Sequence, residues 1–139
     1  MFETMAEIEA ACARLAAMRA GEAPRAALAA AMSDCAAAAA GGEVSAYYAA
    51  NRAFHSALYA AAGNDFLAQQ AEALHRRLTP FRRQQLRMPQ RIGQSLAEHA
   101  GITAAITAGA PQDAAEAARA HIAIQGERFT ALVQSLRPR

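Results

Sequence analysis

Three of the four histidines in this chain fall on helix faces that should be apolar, and these are the residues that could do chemistry. In the third of six predicted helices, Val44, Tyr48, Asn51, His55, Leu58 and Ala62 follow one another at steps of three and four, which puts them on one face. Asn51 and His55 interrupt that stripe. In the fifth helix His99 shares a face with Ile102 and Ile106, and in the sixth His121 stacks with Ala117, Ala118 and Ile124. The fourth histidine, His75, adjoins Arg76 and Arg77 and is expected in solvent.

A single histidine on an apolar face is ordinarily a core residue with a hydrogen-bond partner. Three of them on three helices leave several donors and acceptors to satisfy, whereas a divalent cation takes one nitrogen from each and offsets their desolvation. Asn51, one turn before His55, could add a carbonyl oxygen as a fourth ligand. Three nitrogens and one oxygen suit zinc, nickel, manganese or iron rather than calcium. The stripe of the fourth helix through Leu67, Ala71, Leu74 and Leu78 continues to Arg82 and Gln85, which would then face the same interior. The alternative places Arg82 in a solvated cluster with Arg76, Arg77, Arg83, Arg87 and Arg91.

Glycine and proline set the elements that must position these residues. A first helix runs from near Phe2 to Ala20 and stops at Gly21; Pro24 suits the first turn of a second, which ends at Gly41-Gly42. A third starts near Val44 and ends at Gly63-Asn64. A fourth spans Asp65 to about Arg87 with a kink expected at Pro80. Met88-Pro89 and Gly93 read as a loop, and Ser95 to Glu98 has capping-box spacing, which predicts that the fifth helix starts at Ser95 and ends at Gly109. Pro111 opens a sixth that runs to the C-terminus. No strand pattern, linker or repeat is visible. One all-α domain over 1–139, an antiparallel bundle of about six helices enclosing a ligand or metal cavity, is the economical architecture.

Composition agrees. Many of the hydrophobic residues, 54% of the total, are alanine, the residue that gives up least on entering a helix. All fourteen basic residues are arginine, but twelve acids accompany them and the net charge is only +2, too balanced for a dedicated nucleic-acid binder. Cys12 and Cys35 lack metal or redox spacing and read as buried thiols of a reducing cytoplasm. An acidic N-terminus without an apolar run argues against a signal peptide, and no stretch is long enough to span a bilayer. The expectation is a cytoplasmic protein with no membrane contact.

Several motifs then occur in order: Asn51-Arg52-Ala53-Phe54-His55, Ala61-Ala62-Gly63-Asn64, Ser95-Leu96-Ala97-Glu98-His99 with Ile102 and Ala105-Ile106, and Ala117 through His121-Ile122. With Phe2-Glu3, Ile8-Glu9 and Leu15-Ala16-Ala17 they span essentially the whole chain. This pattern resembles the C-terminal effector domain of GntR-family regulators of the FadR type, often called FCD. The resemblance implies a bundle of six or seven helices whose cavity holds a divalent metal on an aspartate and three histidines, with a small organic acid docked on the metal. By position the metal set is Asn51, His55, His99 and His121. Asn51 replaces the usual aspartate, and Met5 stands where many members have an arginine that holds the effector carboxylate, so Arg82 and Gln85 are the candidate effector contacts. The resemblance further implies a homodimer. It implies DNA contact only through a winged helix-turn-helix domain that has no counterpart in this chain. Two other classes remain in view: a helical-bundle metalloenzyme, for which no general base is evident on the metal-facing stripes, and a metal-free dimerisation module.

Overall fold

The computed structural model describes residues 1–137. Six helices follow in order: α1 Phe2–Arg19, α2 Glu22–Gly41, α3 Val44–Ala61, α4 Asp65–Gln85, α5 Arg91–Thr107 and α6 Pro111–Ser135. Among the described residues there is no strand. The glycine boundaries fall where their backbone freedom is needed: Gly42 ends α2 at φ 72° and Gly109 follows α5 at φ 66°, both in the left-handed region. Asn64 caps α4 by accepting a hydrogen bond from the Leu67 amide. That helix continues through Pro80, whose missing N–H leaves the carbonyl of exposed Arg76 without its helical donor.

The capping-box expectation fails. The helix begins four residues earlier, at Arg91, after Gln90 turns the chain with φ 64°. Gly93 lies within the helix, and Ser95 is buried in its second turn, where its hydroxyl accepts from Tyr47 at 2.9 Å. Burial of Arg91 and Ser95 decides the outcome: local capping chemistry is weaker than a tertiary partner waiting on α3.

Helix α1 is the centre of the packing, lying along α6 and also touching α3, α4 and α5; α2 covers α3 and α5 from the other side. Its inward face, Met5, Cys12, Ala13 and Ala16, is small enough to let neighbours approach closely. Gly126 serves the same end on α6, since a Cβ there would sit 3.0 Å from the Phe2 side chain. The core proper combines Leu28, Cys35, Tyr47, Leu58, Ile102, Ile106 and Ile122, each aliphatic side chain contributing roughly 1.5–3 kcal/mol by burial. Both cysteines are buried free thiols, with burial pushing Cys12 up to about 12 and Cys35 to about 11. Arginines tie off helix ends. Arg25 donates to the carbonyls of Ala17 and Ala20 at the end of α1 and of Ile106 and Thr107 at the end of α5, while Arg19 does the same for Ala62 and Gly63 after α3. With both ends fixed, α1, α3, α5 and α6 bring their polar inward residues to one place.

Candidate metal centre

His55 on α3, His99 on α5 and His121 on α6 meet in the middle of the bundle, each at most 1% exposed. The Nε2 of His121 lies 3.3 Å from that of His99 and 3.4 Å from that of His55, and one ligand atom from each of the three falls within 4.8 Å of the others. Behind two of the rings stands a carboxylate. His55 Nδ1 donates to Glu9 of α1, itself 1% exposed, and His121 Nδ1 donates to Glu98 of α5. A proton committed to Nδ1 leaves Nε2 as a bare lone pair, so both nitrogens present acceptors to the common centre.

The third ring is held differently. His99 stacks on Phe54, with centroids 4.1 Å apart and planes 13° from parallel, and its Nδ1 is buried with no hydrogen-bond partner among the described residues. Burial, reinforced by the neighbouring histidines and by Arg82, holds the pKa values of His55 and His99 well below the ordinary imidazole value. Both are therefore neutral and able to ligate.

Buried charge surrounds the centre in matched pairs. Arg91, 2% exposed, grips Glu98 with both terminal nitrogens at 2.8 and 3.0 Å. Burial alone would raise the Glu98 carboxyl, but the hydrogen bonds from His121 and Arg91 outweigh it and hold it at about 2. Arg82, 4% exposed, donates to Glu9 at 3.3 Å, to Gln125 Oε1 at 2.9 Å and to His75. His75 in turn meets the Tyr59 hydroxyl at 3.0 Å. Two carboxylates thus balance two guanidiniums.

The sequence-based expectations divide here. The expected solvent position of His75 is overturned: it is 1% exposed, inside the hydrogen-bonded chain behind Glu9. Arg82 and Arg91 are likewise buried and do not belong to the exposed cluster of Arg76, Arg77, Arg83 and Arg87. Asn51 is buried and lines a small cavity with Arg82, Gln85, Leu86, Arg91, Ser95 and Gln125. Among the described residues no hydrogen bond joins it to a histidine. The amide that does reach the nitrogens is Gln125, whose Nε2 lies 3.2 Å from His121 Nε2. Its position four residues after His121, on the same helix face, is the signal in the sequence that points to it. For Glu98 the capping-box spacing conceals the role, because its partners come from its own helix seven residues back and from α6.

The donor set fits a divalent transition ion. Imidazole nitrogens bound at about 2.0–2.1 Å around one tetrahedral cation stand roughly 3.3 Å apart, close to the two shortest separations found here. Without a cation, converging lone pairs repel. Among the described residues outside the cluster, the Gln125 amide is the donor that reaches it.

Comparison with known proteins places this arrangement. No curated protein matches the chain. The family profile described as FCD domain matches residues 1–124, which take in the first five helices, the first half of α6 and all three histidines of the centre. The chain therefore belongs to the FCD domain family, the ligand-sensing regulatory domains of GntR-type regulators.

Proposed function

We propose that this chain is the sensor domain of a transcriptional regulator, holding zinc, nickel, manganese or iron on His55, His99 and His121 and docking a small organic acid beside it. The observation that carries the reading is the convergence of three buried imidazoles, two of them backed by carboxylates that orient their Nε2 atoms toward the common centre. When bound, the metal supplies positive charge and open coordination positions. The chain's own residues orient the imidazoles and exclude water. Because Glu9 and Glu98 already balance Arg82 and Arg91, a divalent ion leaves the interior with an excess of two positive charges, which an anionic effector reduces. Arg82 and Gln85, both buried on the cavity wall, are the proposed effector contacts.

Asn51 as fourth ligand belongs to this reading, resting on its place one turn before His55 and its burial at the cavity. Calorimetric titration of a divalent metal into the chelated protein tests it. Asn51→Asp should tighten metal binding by an amount on the order of 1–3 kcal/mol and weaken binding of an anionic effector. Unchanged metal affinity would remove Asn51 from the ligand set. Absence of retained metal after elemental analysis of the purified protein would defeat the reading as a whole. The same proposal has the chain pairing with a second copy and reaching DNA only through an attached winged helix-turn-helix domain. Sedimentation at micromolar concentration should give a dimer, and this chain alone should not retard DNA in a sequence-specific way.

A further inference from the structure

Gln85 has an acceptor that no group among the described residues satisfies. Its side chain is 6% exposed, and its Nε2 donates to the backbone carbonyl of Gln125 at 2.8 Å, which settles which end of the amide carries nitrogen. The Oε1 atom then faces the other way, buried and without a partner. Folded proteins rarely leave such an atom alone, and a ligand donor is one way to meet it.

Gln85 also separates two spaces. On its inner side is the polar cavity bounded by Asn51, Arg82, Arg91, Ser95 and Gln125, with a free volume of about 10 Å³. That is about what one water needs, and too little for a carboxylate while Gln85 stays in place. On its outer side a cleft of about 380 Å³ opens between α4 and α6, walled by Phe81, Met88, Phe129 and Leu132. A volume of that size lies within the range of small-molecule sites, and its walls are mostly aromatic and aliphatic, with Gln84, Arg128 and Ser135 as polar members at the cleft. One residue thus forms a wall of both: a charged interior with two guanidiniums, and an apolar exterior.

We propose that the cleft between α4 and α6 is the outer half of the effector site, that Gln85 is the movable partition, and that the effector is a hydroxy acid with an apolar, ring-sized tail. Its carboxylate passes inward toward Arg82, Arg91 and the histidine centre. Its hydroxyl donates to Gln85 Oε1. Its tail lies against Phe81 and Phe129, whose rings already pack edge to face with centroids 4.6 Å apart. The inference rests on the acid-sensing reading above and adds the chemical class of the acid.

Three matched probes decide it in zinc-loaded protein by calorimetry: 3-phenyllactate, lactate, which lacks the ring, and 3-phenylpropionate, which lacks the hydroxyl. The expected result is that 3-phenyllactate binds about tenfold or more tighter than lactate and about fivefold tighter than 3-phenylpropionate. Leu132→Arg, which adds a second arginine to the cleft beside Arg128 and fills the space of the ring, should erase the advantage of the ring, and Gln85→Leu should erase that of the hydroxyl. Zinc content and far-UV circular dichroism report whether each variant is folded; the wild-type comparison stands without them. Equal affinity for lactate and 3-phenyllactate, or for 3-phenyllactate and 3-phenylpropionate, would overturn the inference and leave the acid-sensing reading standing. Failure of all three acids to bind would overturn both.

Discussion

His55 and His121 reach the centre of the bundle with a carboxylate behind each ring, whereas His99 reaches it with only the face of Phe54 beside it. The first arrangement fixes the tautomer and the direction of the lone pair together. The second fixes the plane of the ring and leaves its Nδ1 buried without a partner. The difference follows from position: Glu9 and Glu98 lie on α1 and α5, close to His55 and His121, and among the described residues no acidic side chain is paired with His99. A hydrogen bond supplies direction that stacking does not, so the three imidazoles should respond to different substitutions.

The largest effect tests whether the three act as one set. His55→Ala, His99→Ala and His121→Ala should each weaken metal retention on the order of a hundredfold or more, as expected from sharing out the binding free energy of a structural zinc site among its ligands. Metal titration by calorimetry checks this, and a variant that kept full affinity would remove that histidine from the site. Next come the carboxylates. Glu9→Gln and Glu98→Gln should each cost about 10–100-fold in metal affinity, because the amide no longer stabilises the Nδ1 proton that bares Nε2. For His99 the corresponding substitution is Phe54→Leu, with an expected loss of about threefold, near the lower end of the roughly 2- to 12-fold that stacking of about 0.5–1.5 kcal/mol represents, because leucine keeps an apolar contact with the ring. If Phe54→Leu matched Glu9→Gln, the contrast between the two kinds of support would collapse. His75→Ala should have a similarly small effect, about threefold, acting through Arg82 on Glu9.

Acid should separate the two states of the same centre. In the metal-free protein, burial followed by the charge of Arg82 holds His75 below the ordinary imidazole value of 6.5, and burial does the same for His55 and His99. The unfolded chain therefore binds more protons below about pH 6.5 than the folded one, so stability is present above that pH and is lost as pH falls. Denaturant titrations of chelated protein at about pH 7.5 and pH 5.5 should show a lower midpoint at the acid end. An unchanged midpoint would mean that these imidazoles are as accessible to protons when folded as when unfolded.

Much of this centre is legible in the sequence because helices are periodic. Steps of three and four alone put His55, His99 and His121 on inward faces, and they put Arg82 and Gln85 on the inward face of α4. The same period runs through Ala71, His75, Leu78 and Arg82, so periodicity by itself also buries His75. The two adjacent arginines point to solvent instead, although a helix turns those neighbours to other faces. Ser95 and Glu98 mislead for a different reason. Their spacing satisfies a local capping rule, and what outweighs it, Tyr47 on α3 and His121 on α6, lies 48 and 23 residues away from the residues they bond. Local rules see only neighbours along the chain. Gly93 compounds the error, since glycine inside a helix is uncommon enough to suggest a loop.

The two ion pairs around the centre, one buried and one half-buried, also differ in how far the chain must travel to form them. Arg91 and Glu98 are seven residues apart on one helix and can meet as soon as α5 exists, while Arg82 and Glu9 are separated by 73 residues and meet only when α4 docks on α1. Arginine keeps its charge at any accessible pH, and a charge buried without its partner is strongly destabilising. A chain with α4 docked and α1 absent would bury a lone guanidinium, and the reverse would bury a lone carboxylate. Partly assembled bundles are thereby disfavoured, and the outermost and middle segments of the chain are bound into one cooperative event. The expected signature is a single unfolding transition of the metal-free chain, with far-UV circular dichroism and tyrosine fluorescence changing together.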